Sequence, residues 1–412
     1  MHPLAQPSAT RTARRALALL LLLATLLLQP AASLGLSDAQ QLVVDAWRLV
    51  NQSYVDPDRF EAVHWKRLRQ KTLEQTIVTS ADAYAAIESM LAPIGDPYTR
   101  LLRPQDFTTL QSNTQGTVNG VGLQLGQREG DGRIRVIAPL ENSPASEAGI
   151  PAGAELLRVD GLPVAELGLE ATAAHLRGPA ASRVLVTWCG DDGIEHDVDL
   201  GRRAIDLHPV RLQRIARQGR TYGVLRITQF SDPVPGEVQE ALQQLQVAGT
   251  DGLVLDLRNN SGGLVAAGLA VANDLLDRQP IVETVNRDGL ASLEQAGPGV
   301  LYDGPMVTLV NAGTASASEI LAGALQDDGR SPLLGHRTFG KGLIQTLIPL
   351  GNGSGLAVTV ARYRTPAGRD IQNLGIEPDL ELPQPEPLAP GSDDDLWLDA
   401  ALESLIAREP GR

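Results

Sequence analysis

The chain has 412 residues, with 35 basic and 49 acidic side chains and a formal net charge of −14. That length suggests two or three domains with ample core, and the acidic balance excludes a general nucleic-acid binder, which needs a basic surface to neutralise phosphates. Cys189 is the single cysteine, so an internal disulfide and a cysteine-based zinc site are both excluded.

At the N-terminus, Arg11, Arg14 and Arg15 precede an apolar stretch over 16–28, ended by Gln29 and Pro30 and followed by Ala31, Ala32 and Ser33. A basic start, a short apolar run and a small-residue exit predict a secretory signal peptide over 1–33. Spanning a bilayer would need about 20 apolar residues. Its removal takes away three arginines and no acid, which leaves a net charge of −17. Residues 34–115 read as a helical region. Ser37 and Asp38 can cap a helix in which Leu42, Val43, Ala46, Trp47 and Val50 recur at three- and four-residue spacing. A second amphipathic run covers 81–91, and Pro93, Gly95, Asp96 and Pro97 form a turn cluster.

From Gln115 and Gly116 the texture changes to short β-type runs at 121–125, 134–138, 155–159 and 184–188, with a helix-like piece at 170–176. These predict a compact β-rich module over 116–203. Beyond Tyr222, apolar strands at 253–257, 306–310 and 333–334 alternate with alanine-rich helices. That alternation predicts an α/β domain with largely parallel strands over 204–382, with a late strand at 355–363. The tail, 383–412, reads as a proline-rich linker and a short helix at 396–407 led by acidic residues.

Only Lys66, Lys71 and Lys341 are lysines, against 32 arginines. A guanidinium keeps its proton in a protein, whereas a desolvated ammonium can lose one and become a base. Lys341 lies in Phe339-Gly340-Lys341-Gly342, where the glycines permit a tight turn and close backbone approach; an exposed hairpin lysine fits the same residues. Directly after the strand 306–310 comes Asn311-Ala312-Gly313-Thr314-Ala315-Ser316-Ala317-Ser318-Glu319. Small residues at a strand-to-helix turn expose N–H groups that suit a developing oxyanion, and Ser316 could attack a carbonyl there. Ser316 with Glu319 equally fits the S-x-x-E capping box.

A second strand runs into Asp256-Leu257-Arg258-Asn259-Asn260-Ser261-Gly262-Gly263. This turn has neither the dinucleotide spacing nor a Walker lysine, but a Gly-Gly turn can present N–H groups to an anionic oxygen or simply pack closely. Gly120-Val121-Gly122-Leu123 opens the β-rich module. Such a loop can aim N–H groups at a peptide's terminal carboxylate while the following strand adds the peptide by β-augmentation; it is also a plain glycine turn. His64, His175, His196, His208 and His336 sit in no nucleophile-elbow or metal-pair motif, so a base for Ser316 would be a lysine.

In this order the pieces resemble the carboxyl-terminal processing peptidases, or tail-specific proteases. The resemblance covers the mature chain and is most specific in VNAGTASASEILAGAL, HRTFGKGLIQT and GSGLAVTVARYRTPAGRDI. It implies an α/β catalytic core of the crotonase/ClpP-like kind, with an N-terminal helical region and an inserted PDZ domain. Carried over by position, the nucleophile is Ser316, the general base is Lys341 and the lysine is oriented by Gln345. The oxyanion donors are the amides of Ala317 and of Gly262 or Gly263, where Ser261 replaces the usual Gly or Pro. The carboxylate-binding loop is Gly120, Val121, Gly122 and Leu123, and PLENSPASEAGIPAGAELLRVDG looks like the rest of the PDZ domain. Asp96-Pro97-Tyr98-Thr99-Arg100 fits the family's N-terminal region.

No metal or other cofactor is implied, and the partners are protein substrates with free, unstructured C-termini, with peripheral contact to a membrane-protein substrate. Asp45-Ala46-Trp47-Arg48 and TFGKGLIQT are similar to the photosynthetic branch, whose enzymes trim the C-terminal extension of a photosystem II reaction-centre core protein. With a short signal peptide in place of a Ser-rich transit peptide, the expected location is the thylakoid lumen or periplasm of a cyanobacterium. Alternatives are general degradation of exported proteins and a non-catalytic PDZ scaffold or holdase. A crotonase-like acyl-CoA enzyme is disfavoured by the signal peptide and the PDZ-like module.

Overall fold

The protein is described by a computed structural model that covers residues 36–127, 133–140, 142–151, 154–190, 193–384, 386, 390–392 and 394–408. The expected signal peptide lies outside the described residues. The chain starts with α1 (Asp38–Ser53), α2 (Asp58–Ala62), α3 (Trp65–Leu73) and α4 (Ser80–Leu91). Ser37 and Gln40 form a reciprocal capping box for α1, which buries Ala39, Leu42, Val43, Ala46 and Val50 on one stripe. β1 (Arg100–Leu102) and α5 (Pro104–Thr114) complete this region.

The β-rich module comprises β2 (Thr117–Gly120), β3 (Leu123–Gln127), β4 (Ile134–Pro139), α6 (Pro144–Glu147), β5 (Glu155–Val159), β6 (Leu162–Pro163), α7 (Val164–Leu176), β7 (Arg183–Cys189), β8 (Glu195–Gly201) and β9 (Arg203–Asp206). β2 and β9 pair antiparallel where the chain enters and leaves it. Its sheet runs β3-β4-β5-β7-β8, which puts β3 at an edge.

Next come β10 (Val210–Arg217), β11 (Arg220–Ile227), α8 (Val234–Ala248), β12 (Gly252–Asp256), α9 (Val265–Leu275), β13 (Pro280–Asn286), β14 (Ala291–Gln295), β15 (Met306–Val310) and α10 (Ala317–Asp327). β16 (Leu333–Gly335), β17 (Leu343–Pro349), β18 (Gly355–Arg364), β19 (Leu380–Glu381) and α11 (Leu396–Arg408) end the chain. The central sheet has the order β10-β11-β12-β15-β16-β19 and is parallel apart from the β10–β11 hairpin. Alternation along β12 explains its two layers. Leu253 and Leu255 pack beneath α8, α9 and α10, while Val254 faces α11 through Trp397, Leu398 and Leu402. The closing helix therefore forms one face of the core.

A second, antiparallel sheet runs β1-β18-β13-β14, with β17 also on β18. Arg100 pairs with Ala357 and Leu102 with Gly355, so the N-terminal region supplies a strand to the sheet that carries the late part of the chain. The result is a mixed α/β core with N-terminal helices and a β-rich insertion. Its parallel strands, β12, β15 and β16, follow the apolar runs. β1, β10, β13, β14 and β17 were not anticipated, because β1 and β13 are made strands by distant pairing with β18, and β10, β14 and β17 by hairpins rather than by a local apolar run.

Candidate active site

β12 and β15 are adjacent and parallel, and both end in turns at the same edge, the usual place for a site in an α/β sheet. After β15 the chain places Ser316 at the N-cap of α10 with φ 58° and ψ −118°. This is a strained conformation for a side chain with a Cβ. Glu319, three residues on, accepts the Ser316 N–H on Oε2 at 2.9 Å. The Glu319 amide donates to the Ser316 carbonyl at 2.8 Å. The phenol of Tyr363 also donates to that carbonyl, at 3.0 Å.

The turn after β12 is tied to the serine turn at several points. The Asn260 carbonyl accepts the Ala315 amide at 3.0 Å and the Ser318 hydroxyl at 2.9 Å. Thr314 Oγ1 donates to the Leu257 carbonyl at 2.9 Å, and Asn311 Oδ1 accepts the Asn259 amide at 2.8 Å. Gly262 has φ +100°, and a Cβ there would lie 2.8 Å from the Ser316 Cβ; the turn is glycine because it rests on the serine. Gly262 is also hydrogen-bonded within its own turn. Its amide already donates to Asn260 Oδ1 at 3.0 Å, whereas among the described residues the amides of Gly263 and Ala317 have no acceptor.

Lys341 approaches from the loop before β17. Gly340 has φ +88°, and a Cβ on it would come within 2.7 Å of the Gly375 nitrogen, so the anticipated close approach is present. The loop is moored to Glu319, which is fully buried. Glu319 Oε1 accepts Thr338 Oγ1 at 2.6 Å and the Gly340 amide at 2.7 Å. Oε2 accepts the Lys341 amide at 2.9 Å, beside the Ser316 amide. Four donors on one carboxylate offset the cost of burying it.

Burial, then the charge of Arg100, pushes the Lys341 ammonium below its ordinary pKa against the opposing pull of Asp96 and Glu319. Its Nζ lies 5.0 Å from the Tyr98 ring centroid. Among the described residues, no hydrogen bond joins Nζ to Ser316 or to Gln345. Gln345, on β17, donates instead to Thr359 Oγ1 at 3.3 Å, and Thr359 Oγ1 donates to Asp96 Oδ2 at 2.7 Å. His336 is turned away, against Trp397 and Glu381.

Gly120, Val121, Gly122 and Leu123 lie on the β-rich module. The Val121 carbonyl accepts the Ala145 amide at 2.9 Å and the Gly122 carbonyl that of Leu140 at 2.8 Å. Gly122 has φ +77°, and a Cβ on it would sit 2.2 Å from the Ser143 Cβ. The loop leads into the edge strand β3, whose open side can take a further strand.

The structure thus gathers Ser316, Ala317, Gly262, Gly263 and the Lys341 loop around Glu319, and keeps the 120–123 loop apart. Glu319 was visible in the sequence only as a capping residue. Asp96, Tyr98 and Thr359 carried no signal of their own beyond membership of the quoted motifs.

Comparison with known proteins adds four findings. The model of peptidase family S41 matches residues 221–382. The carboxyl-terminal-processing protease of Picosynechococcus sp. is 45 % identical over 377 residues, covering 90 % of this chain and 91 % of its own. That of Synechocystis sp. is 44 % identical over 355 residues, covering 86 % and 83 %. Among solved structures, a photosystem II D1 C-terminal processing protease matches with a TM-score of 0.59 at 38 % identity, covering 84 % of this chain and 94 % of the other.

Proposed function

The chain belongs to peptidase family S41, among the carboxyl-terminal-processing proteases, and from that premise we propose that Ser316 is its nucleophile, Lys341 its general base and Gln345 the group that orients the lysine. The protein is a serine-type endopeptidase acting at C-termini. In this reading 34–115 is the N-terminal region, 116–203 a PDZ domain and 204–382 a peptidase core of the crotonase/ClpP-like kind.

One observation carries the assignment: a single buried carboxylate oxygen, Glu319 Oε2, accepts the amides of both Ser316 and Lys341. In the proposed reaction, neutral Lys341 Nζ takes the Ser316 hydroxyl proton as Oγ attacks the scissile carbonyl. The amides of Ala317 and Gly263 receive the oxyanion. The Lys341 ammonium then protonates the departing amine, leaving an ester on Ser316. A water that loses its proton to Lys341 hydrolyses the ester and restores the serine.

Recruitment belongs to the module. The tail's carboxylate would sit at Gly120, Val121, Gly122 and Leu123, with its strand added to β3 and its end beside α7. The solved relative processes the D1 C-terminus of photosystem II. Cyanobacterial relatives of nearly the same extent support the same substrate class here, in the thylakoid lumen or periplasm. The test compares peptides that differ only in a free or amidated C-terminus. The free acid should be cleaved much faster; equal cleavage would overturn tail recognition.

A further inference from the structure

The turn at 95–99 comes from outside the α/β core, yet it is fixed to the strand behind the site. Asp96 Oδ2 accepts both Thr99 Oγ1 and Thr359 Oγ1 at 2.7 Å, and Thr99 Oγ1 accepts the Thr359 amide at 3.0 Å. β1 then continues the turn along β18. Tyr98 sits inside this clamp, its own amide donating to Asp96 Oδ1 at 2.9 Å. Its half-buried ring is the surface that meets Lys341 Nζ, at 5.0 Å.

An aromatic face attracts a cation and has no comparable attraction for a neutral amine. The proposed chemistry needs the opposite form, a neutral amine at the Ser316 hydroxyl. The observed Nζ lies against the ring and makes no hydrogen bond to Ser316. We infer that the Tyr98 ring is the resting face of protonated Lys341, and that Tyr98 is a positioning residue which favours that state until the lysine gives up its proton and turns to Ser316. The N-terminal region is then part of the catalytic device. The inference rests on reading Lys341 as the general base. The charged and titratable groups facing Nζ are Asp96, Tyr98 and Arg100 from the turn and Glu319 from α10. Burial and Arg100 oppose the protonated form; Asp96, Glu319 and the ring favour it.

The experiment is the pH profile of kcat/KM for the mature chain on a free-acid peptide, with Tyr98→Leu, Tyr98→Phe and Tyr98→Trp beside the wild type. Loss of the ring in Tyr98→Leu should move the acid limb to lower pH, by about half a unit to about one and a half for a cation–π contact. Tyr98→Phe should keep the wild-type limb, and Tyr98→Trp should move it to higher pH because indole is the stronger face. An unmoved limb in Tyr98→Leu, or the same shift in Phe and Leu, overturns the inference; if Leu does not fold, an unmoved limb in Trp does. Lys341→Ala separates the two levels. Retained cleavage there defeats the general-base reading itself, whereas an inactive Lys341→Ala with an unmoved Tyr98 series defeats the resting face alone.

Discussion

Lys341 is hydrogen-bonded through its amide to Glu319 Oε2 at 2.9 Å, on the same oxygen that accepts the Ser316 amide at 2.9 Å. Distance along the chain is thereby cancelled by one side chain, and the serine and lysine loops cannot shift independently while that carboxylate is in place. Glu319→Gln leaves one acceptor oxygen for four donors. Each N–H or O–H left unpaired costs about 1–3 kcal/mol. Thermal unfolding should show that loss, and kcat should fall about 100-fold, as expected when reacting groups are displaced by an ångström or so, with KM little changed.

The contact between Gly262 and Ser316 makes a second prediction. Gly262→Ala forces φ +100° on an alanine and presses its Cβ to 2.8 Å from the serine Cβ and from the Ala315 carbonyl. The strain is worth about 1–3 kcal/mol. Because the displaced atoms belong to the nucleophile, kcat should fall with little loss of binding. Steady-state kinetics on a single peptide will separate the two.

Rate against pH follows from the lysine. Its pKa lies below the usual lysine value of 10.5 through burial and Arg100, and only the neutral amine can accept a proton. Cleavage should therefore rise with pH through a limb below that value. Arg100→Gln removes a repelling cation, which should move the limb to higher pH; a limb that moves down or stays would show that Arg100 does not face the working lysine.

Stability in acid depends on a buried network at the end of β12, behind the turn that rests on Ser316. Arg258, fully buried, bridges Asp256 at 2.8 Å and Asp395 at 2.6 Å. Burial raises the Asp395 pKa, but its bonds to Arg258 and to the Gly391 amide outweigh this and hold it below the ordinary value. A depressed carboxylate contributes stability that is present above its unfolded pKa and lost as pH falls through the folded one. The protein should thus lose stability below the ordinary carboxylate range. Asp395→Asn should cost about 3–5 kcal/mol, the usual penalty for breaking a buried pair, read as a lower Tm at neutral pH.

The legible parts of this molecule were local ones. Apolar runs at β12 and β15, followed by glycine and small-residue turns, announced an α/β sheet with chemistry at its strand ends, and the isolation of Lys341 between two glycines drew attention to it. Gln345 lay on a recognisable segment, yet its amide is engaged by Thr359. Tyr98 could not be found from its neighbours, because its meeting with Lys341 depends on β1 pairing with β18 across more than half the chain. Glu319 was hidden by ambiguity: the same Ser-x-x-Glu spacing serves a helix cap and a carboxylate that anchors a distant loop. Gly262 and Gly263 were indistinguishable until the Asn260 side chain was seen to occupy one of their amides.

Lys341→Arg is the most direct test of the account, since it keeps the charge of the side chain while removing the ability to lose a proton. Cleavage of a free-acid peptide by the folded variant should be absent at every pH at which the wild type works. Cleavage at the wild-type rate would contradict the Ser316–Lys341 mechanism.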